Sequence, residues 1–155
     1  MGRIDRSDQL ATAAPDAIWA ALTDPTRVAL WLAPEGMTAH VHDWQARPGG
    51  RLRVTLSYRD AAANPGKTGE GGDEVEGRFL DAEAPWHLAW TTRFASDDPA
   101  FAGEMTMVWT LLPEGLGTRI AVEARDVPVG ISPEDHAEGL AASLRQLAEE
   151  ALRRA

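Results

Sequence analysis

From residue 37 to residue 125 apolar side chains recur at every second position, and this alternation constrains the fold more than any other feature of the chain. Successive side chains of a β-strand point to opposite faces, so a period of 2 describes a sheet with one dry face and one wet face. The alternating runs are 37–44, 51–58, 74–81, 86–94, 104–112 and 118–125. Turn residues separate them, as at Pro48-Gly49-Gly50, Asn64-Pro65-Gly66, Ala84-Pro85, Asp98-Pro99 and Pro113-Glu114-Gly115. Links of hairpin length between successive strands predict an antiparallel meander. A weaker alternation over 4–13 adds a strand at the front, for about seven in all.

Splitting each run by parity gives two unlike surfaces. One collects Leu52, Val54, Leu56 and Tyr58, then Val75 and Phe79, then Leu88, Trp90 and Phe94, then Met105, Met107 and Trp109. The other collects Arg51, Arg53, Glu74, Glu76, Arg78, Arg93, Arg119 and Glu123. The first is the expected core face, and it carries almost no carboxylates.

Outside these runs the period is helical. Pro15 and Pro25 each suit the first turn of a short helix, where no N–H is needed, and Asp24 is placed to cap the second. Ser132-Pro133-Glu134-Asp135 has the same character and predicts a helix over 133–154. Its apolar stripe is Ala137, Leu140, Leu144, Leu147, Ala148 and Ala151. Such a helix is roughly 30 Å long and, with side chains, about 10–12 Å across. Seven strands about 4.8 Å apart span roughly 29 Å, so one helix cannot cover them flat. The sheet is expected to curve around the helix, with the two short helices closing one end and a space left inside. This is an α+β fold.

The 155 residues fit one domain, 1–155. There is no cysteine, which removes disulfides, thiol catalysis and thiolate metal sites. The formal net charge of −9, with acidity concentrated over 70–83, disfavours nucleic acid, which needs a basic footprint. The charged start, Met1 to Asp8, lacks the apolar stretch of a signal peptide. No run approaches the ~20 apolar residues of a membrane span, and a cytoplasmic protein is expected. The biased stretch 60–72 reads as a mobile hairpin loop. Its Gly69-Glu70-Gly71-Gly72 lacks the lysine and the strand–loop–helix setting of a phosphate loop.

An ordered series of short pieces resembles a known family. It runs from Ile18-Trp19-Ala20-Ala21-Leu22-Thr23-Asp24-Pro25 through Trp31, Pro34-Glu35-Gly36-Met37, Arg47-Pro48-Gly49-Gly50-Arg51 and Gly77-Arg78-Phe79-Leu80. It continues with Leu88-Ala89-Trp90-Thr91, Gly117-Thr118-Arg119-Ile120 and His136-Ala137-Glu138-Gly139-Leu140, and covers nearly the whole chain. The sequence is similar to the START-like, or helix-grip (SRPBCC), superfamily, in its activator of heat-shock-90 ATPase homologue-like branch. The resemblance implies a curved antiparallel sheet wrapped around a long C-terminal helix, with a hydrophobic cavity between them. It does not imply one function, since the superfamily includes lipid and hormone carriers and polyketide cyclases. Its chaperone-activating members carry a further N-terminal domain. Relatives often have tryptophan after the glycine that here is Gly139; Leu140 stands in its place and is expected to leave more room.

Candidate chemistry is sparse. His40 and His42 form an H-x-H on one strand face, but a metal site needs a third ligand and none is apparent, so no metal is expected. His136, one turn before Leu140, and Tyr58 are the best proton-transfer candidates. No orienting carboxylate for His136 is visible in the sequence. Ser57, Ser132 and Ser143 lack nucleophile-elbow surroundings. The first expectation is therefore binding of a small apolar or aromatic ligand, without catalysis or cofactor. Its predicted lining is Trp31, Leu56, Tyr58, Phe79, Trp90, Met107, Trp109, His136 and Leu140. A cyclase or hydrolase using the same cavity, and an interaction protein acting on a chaperone, are the alternatives.

Overall fold

The computed structural model describes residues 2–33, 36–58, 72–96 and 98–153. Its strands are β1 (Ile4–Ala11), β2 (Met37–Trp44), β3 (Arg51–Tyr58), β4 (Gly72–Glu83), β5 (His87–Phe94), β6 (Met105–Glu114) and β7 (Gly117–Arg125). The helices α1 (Pro15–Thr23) and α2 (Pro25–Trp31) follow β1, and α3 (Pro133–Glu150) follows β7. The strands form one antiparallel sheet in the order β1-β7-β6-β5-β4-β3-β2. Strands β2 to β7 are the expected meander, and β1 joins its far edge through β7. The sheet curls into a half-barrel with α3 against its inner face, which is the α+β helix-grip arrangement.

Each helix begins where its sequence demands. Proline occupies the first turn of all three, Asp24 accepts from the Thr26 N–H, and Ser132 accepts from the Asp135 N–H. Several boundaries differ from expectation: β4 spans Gly72–Glu83 rather than 74–81, β6 Met105–Glu114 rather than 104–112, and β5 and β7 start one residue away from the predicted position. Strand β1 ends at Ala11 rather than 13, and α3 ends at Glu150 rather than 154. Ala137 is exposed, not buried, because the covered stripe of α3 begins one turn later, at Leu140.

The pairing register shifts at two points among the described strands, and both shifts serve the core. A register shift between Val41 and Asp43 reverses the parity of β2, keeping Asp43 out of the core and burying Trp44. A second shift, between Phe79 and Asp81, leaves Asp81 exposed and packs Ala82 against the core instead. Gly77 lies between them, where a Cβ would stand 1.6 Å from the Thr91 carbonyl oxygen, so only glycine permits this approach of β4 to β5.

Inside the half-barrel Trp31, Trp109, Trp90, Trp44 and Phe79 form a continuous aromatic group, with successive ring centroids 5.0–5.7 Å apart. Most of the pairs meet edge to face, the geometry that aligns positive ring edges with negative ring faces. The indole N–H of Trp31 donates to the Ala21 carbonyl at 2.8 Å, and that of Trp44 donates to the Leu22 carbonyl at 2.9 Å. These carbonyls belong to the last turn of α1, which has no intrahelical partners to offer them. The same solution recurs at the end of α2. Gln146 of α3 donates to the carbonyls of Trp31 and Ala33, and Ser143 donates to that of Leu32. No helix among the described residues is long and apolar enough to cross a membrane.

Candidate functional site

An open cavity of about 1000 Å³ lies between the inner face of the sheet and α3. Leu52, Val54 and Leu56 of β3 and Trp90, Met107 and Trp109 of β5 and β6 form its sheet wall. Leu140 and Ala142 of α3 face them. The exposed rim carries Asp98, Asp135, Glu138 and Arg145. The wall is mostly apolar because the inner parity of strands β3 to β6 is mostly apolar, with Asp73 of β4 and Thr92 of β5 as exceptions. The rim is polar because it is made of loop residues and exposed positions of α3.

Of the residues expected to line this space, Leu56, Trp90, Met107, Trp109, His136 and Leu140 lie on its wall. Trp31 and Phe79 do not: both are fully buried behind it. Trp31 is held there by its hydrogen bond to Ala21 and packs edge-on against Trp109. Phe79 is covered by Trp44 and Trp90. The Tyr58 side chain and the 60–72 loop, apart from the Gly72 backbone, lie outside the described residues.

The inner face does carry carboxylates, contrary to expectation. Asp73 is 1% exposed on the cavity wall, because β4 starts at Gly72 and its inner parity extends back from Val75. Asp5 is the second. On β1 the half-buried positions are Asp5, Ser7 and Gln9, while Ile4 and Leu10 are exposed, the reverse of the usual pattern. The Asp5 carboxylate accepts from His136 Nδ1 at 2.7 Å and from Arg3 Nη2 at 3.1 Å, with both acceptances at Oδ2. The His136 and Asp5 side chains are only 12% and 15% exposed. So His136 has the orienting carboxylate that the sequence did not reveal. Extrapolating parity from Val75 would have found Asp73; no local signal pointed to Asp5.

Two further polar atoms on wall residues, Thr92 Oγ1 and Trp109 Nε1, are buried without a hydrogen-bond partner among the described residues. Leaving such a group unsatisfied costs about 1–3 kcal/mol. His40 and His42 meet edge to face with ring centroids 4.5 Å apart, and His42 Nε2 lies 2.9 Å from Thr55 Oγ1. No group of three or more potential metal ligands occurs among the described residues. A smaller depression of about 530 Å³ lies on the outer face of the sheet, lined by Arg51, Arg53, Arg78 and Arg93 with Glu76 and Glu104. Its alternating charges are those of a solvated sheet face.

A half-barrel sheet that grips a C-terminal helix over an open internal space defines a protein of the helix-grip, START-like class. The chain belongs to the activator of Hsp90 ATPase homolog 1-like protein family, whose model matches residues 12–151. No curated protein gives a significant match. Among solved structures, a protein of Chromobacterium violaceum is 28% identical, with a TM-score of 0.83, covering 97% of this chain and 98% of that one. A protein of Rhodobacter sphaeroides is 22% identical, with a TM-score of 0.76 over 96% of this chain and 92% of that one. The AHSA1 protein of Silicibacter pomeroyi is 23% identical, with a TM-score of 0.73 over 96% of both chains. The last two likenesses are of fold.

Proposed function

We propose that the protein binds a small apolar or aromatic molecule in the cavity between the sheet and α3. One observation carries this reading: α3 leaves about 1000 Å³ unfilled against an aromatic and aliphatic wall. Small-molecule sites are concave, mostly apolar spaces of about 300–1,000 Å³ with a few placed polar groups. The four rim residues Asp98, Asp135, Glu138 and Arg145 carry three negative charges against one positive, which favours a neutral ligand over an anionic one.

The test is a titration with the neutral fluorophore N-phenyl-1-naphthylamine. Saturable uptake with probe emission enhanced and tryptophan emission quenched is the expected result, because Trp90 and Trp109 form the wall. Leu140→Trp should weaken that uptake at least about tenfold by occupying the space. No saturable uptake by the unmodified protein would remove the basis of the reading.

The family description supports a second reading, contact with a chaperone of the heat-shock-90 class. Its test is direct titration of the protein against the purified middle domain of such a chaperone.

A further inference from the structure

We propose that Asp5 and His136 form a proton-accepting subsite at the edge of the cavity, which takes the hydroxyl of a neutral, phenol-type ligand. This rests on the cavity reading above and specifies the chemistry of its ligand.

The hydrogen bond between His136 and Asp5 has a fixed direction. An ionised carboxylate only accepts, so the 2.7 Å contact requires Nδ1 of His136 to donate to Asp5 Oδ2. In the neutral imidazole the other nitrogen, Nε2, then keeps its lone pair and is the acceptor. Nε2 has no partner among the described residues, nor is it among the side-chain atoms sealed from solvent without one. His136 belongs to the cavity lining. The free acceptor therefore sits on a cavity residue whose ring is fixed from behind by Asp5.

The fixation is strong for structural reasons. Asp5 is on the edge strand β1 and His136 on the first turns of α3, and both side chains are largely withdrawn from water. Arg3 holds the same carboxylate oxygen at 3.1 Å, so Asp5 is positioned independently of the histidine. Asp5 is the positioning residue, and His136 is the group that meets the ligand.

The ligand class follows from what Nε2 accepts and what the cavity admits. The wall takes an aromatic ring, and the acidic rim disfavours a molecule that arrives as an anion. A neutral phenol satisfies both and carries an acidic hydroxyl. When it is bound, its O–H hydrogen bonds to Nε2. Transfer of that proton breaks the O–H bond, forms Nε2–H, and leaves a phenolate beside an imidazolium held by the Asp5 carboxylate. No other reactant is required.

The probes are 4-nitrophenol and 4-nitroanisole, near-isosteres of which only the first has a hydroxyl. Each is titrated into the full chain over a pH series that spans the ionisation of free nitrophenol, so that binding of the neutral phenol to the neutral imidazole is separated from binding of either ion. The expected result is that nitrophenol binds at least about tenfold more tightly, the size of one hydrogen bond involving a charged group. The bound nitrophenol should also show the visible band of the phenolate. His136→Gln should abolish both the preference and the band. Asp5→Asn should abolish the band, since the imidazolium loses its counter-charge; if that variant does not fold, the wild-type pair and His136→Gln still decide. Equal affinity for the two probes, or a preference that survives His136→Gln, overturns the subsite while leaving the cavity reading intact. Binding of neither probe overturns the subsite, and overturns the cavity reading as well only if N-phenyl-1-naphthylamine is not taken up either.

Discussion

Glu150 on the last turn of α3 meets Arg27 of α2 at 3.2 Å, with the two side chains only 6% and 12% exposed. The Arg27 guanidinium also donates to the Glu150 backbone carbonyl at 2.7 Å, one of the carbonyls that the end of α3 leaves without an intrahelical partner. This pair locks the end of the gripping helix to the short helices that close the half-barrel. Removing one member of a buried pair leaves the other charge uncompensated, at a cost of about 3–5 kcal/mol. Glu150→Ala is therefore expected to destabilise by about that much, read as a lower urea midpoint at unchanged slope. Arg153 also reaches Glu150, at 3.3 Å, but is exposed, so Arg153→Ala should change stability by about 1 kcal/mol or less.

Gly77→Ala tests the curvature of the sheet. The added Cβ would collide with the Thr91 backbone oxygen, which is not the movable end of a side chain. The strands must separate, and the expected cost is about 1–3 kcal/mol, as for other overpacking changes. Chemical denaturation of the variant checks it; a stability equal to that of the parent would show that β4 and β5 have slack at this point.

Leu140→Trp tests whether the space beside α3 is open. Leu140 is buried on the helix face and lines the cavity. A larger ring entering free space is expected to leave the thermal midpoint within a few degrees of the parent. In a filled interior it would cost about 1–3 kcal/mol. The thermal melt separates these outcomes independently of any probe.

Glu123 on the outer face provides a pH test. Hydrogen bonds from Arg125 and then Arg6 hold its carboxyl below the ordinary glutamate value. A depressed folded-state value means that the stabilisation is fully present above the unfolded-chain value. It is lost as pH falls through the lower, folded one. The group is on the wet side of the sheet, so the effect on overall stability is small. A side-chain NMR titration should place the Glu123 midpoint below that of the unfolded chain, and Arg125→Gln should move it upward.

The strands, the three helix starts and the pairing of a dry sheet face with the leucine stripe of α3 were legible in the sequence. They follow from local periodicity and from the missing N–H of Pro15, Pro25 and Pro133. Parity placed Leu52, Val54, Trp90, Met107 and Trp109 on the inner face correctly, because one residue type per face is a local property of a strand. Tertiary structure alone decided which inner residues face the cavity and which lie behind it. Trp31 and Leu140 both read as inward. Only the docking of α1 on α2 turns the Trp31 indole toward the Ala21 carbonyl and away from the space. The shifts that bury Trp44 and exclude Asp81 depend on pairing with β3 and β5, which a single strand does not encode. The contact between Asp5 and His136 joins positions 131 residues apart. It exists because β1 pairs with β7 across the sheet and turns a polar face toward α3, so the partner of His136 emerges from long-range topology rather than from any motif around it.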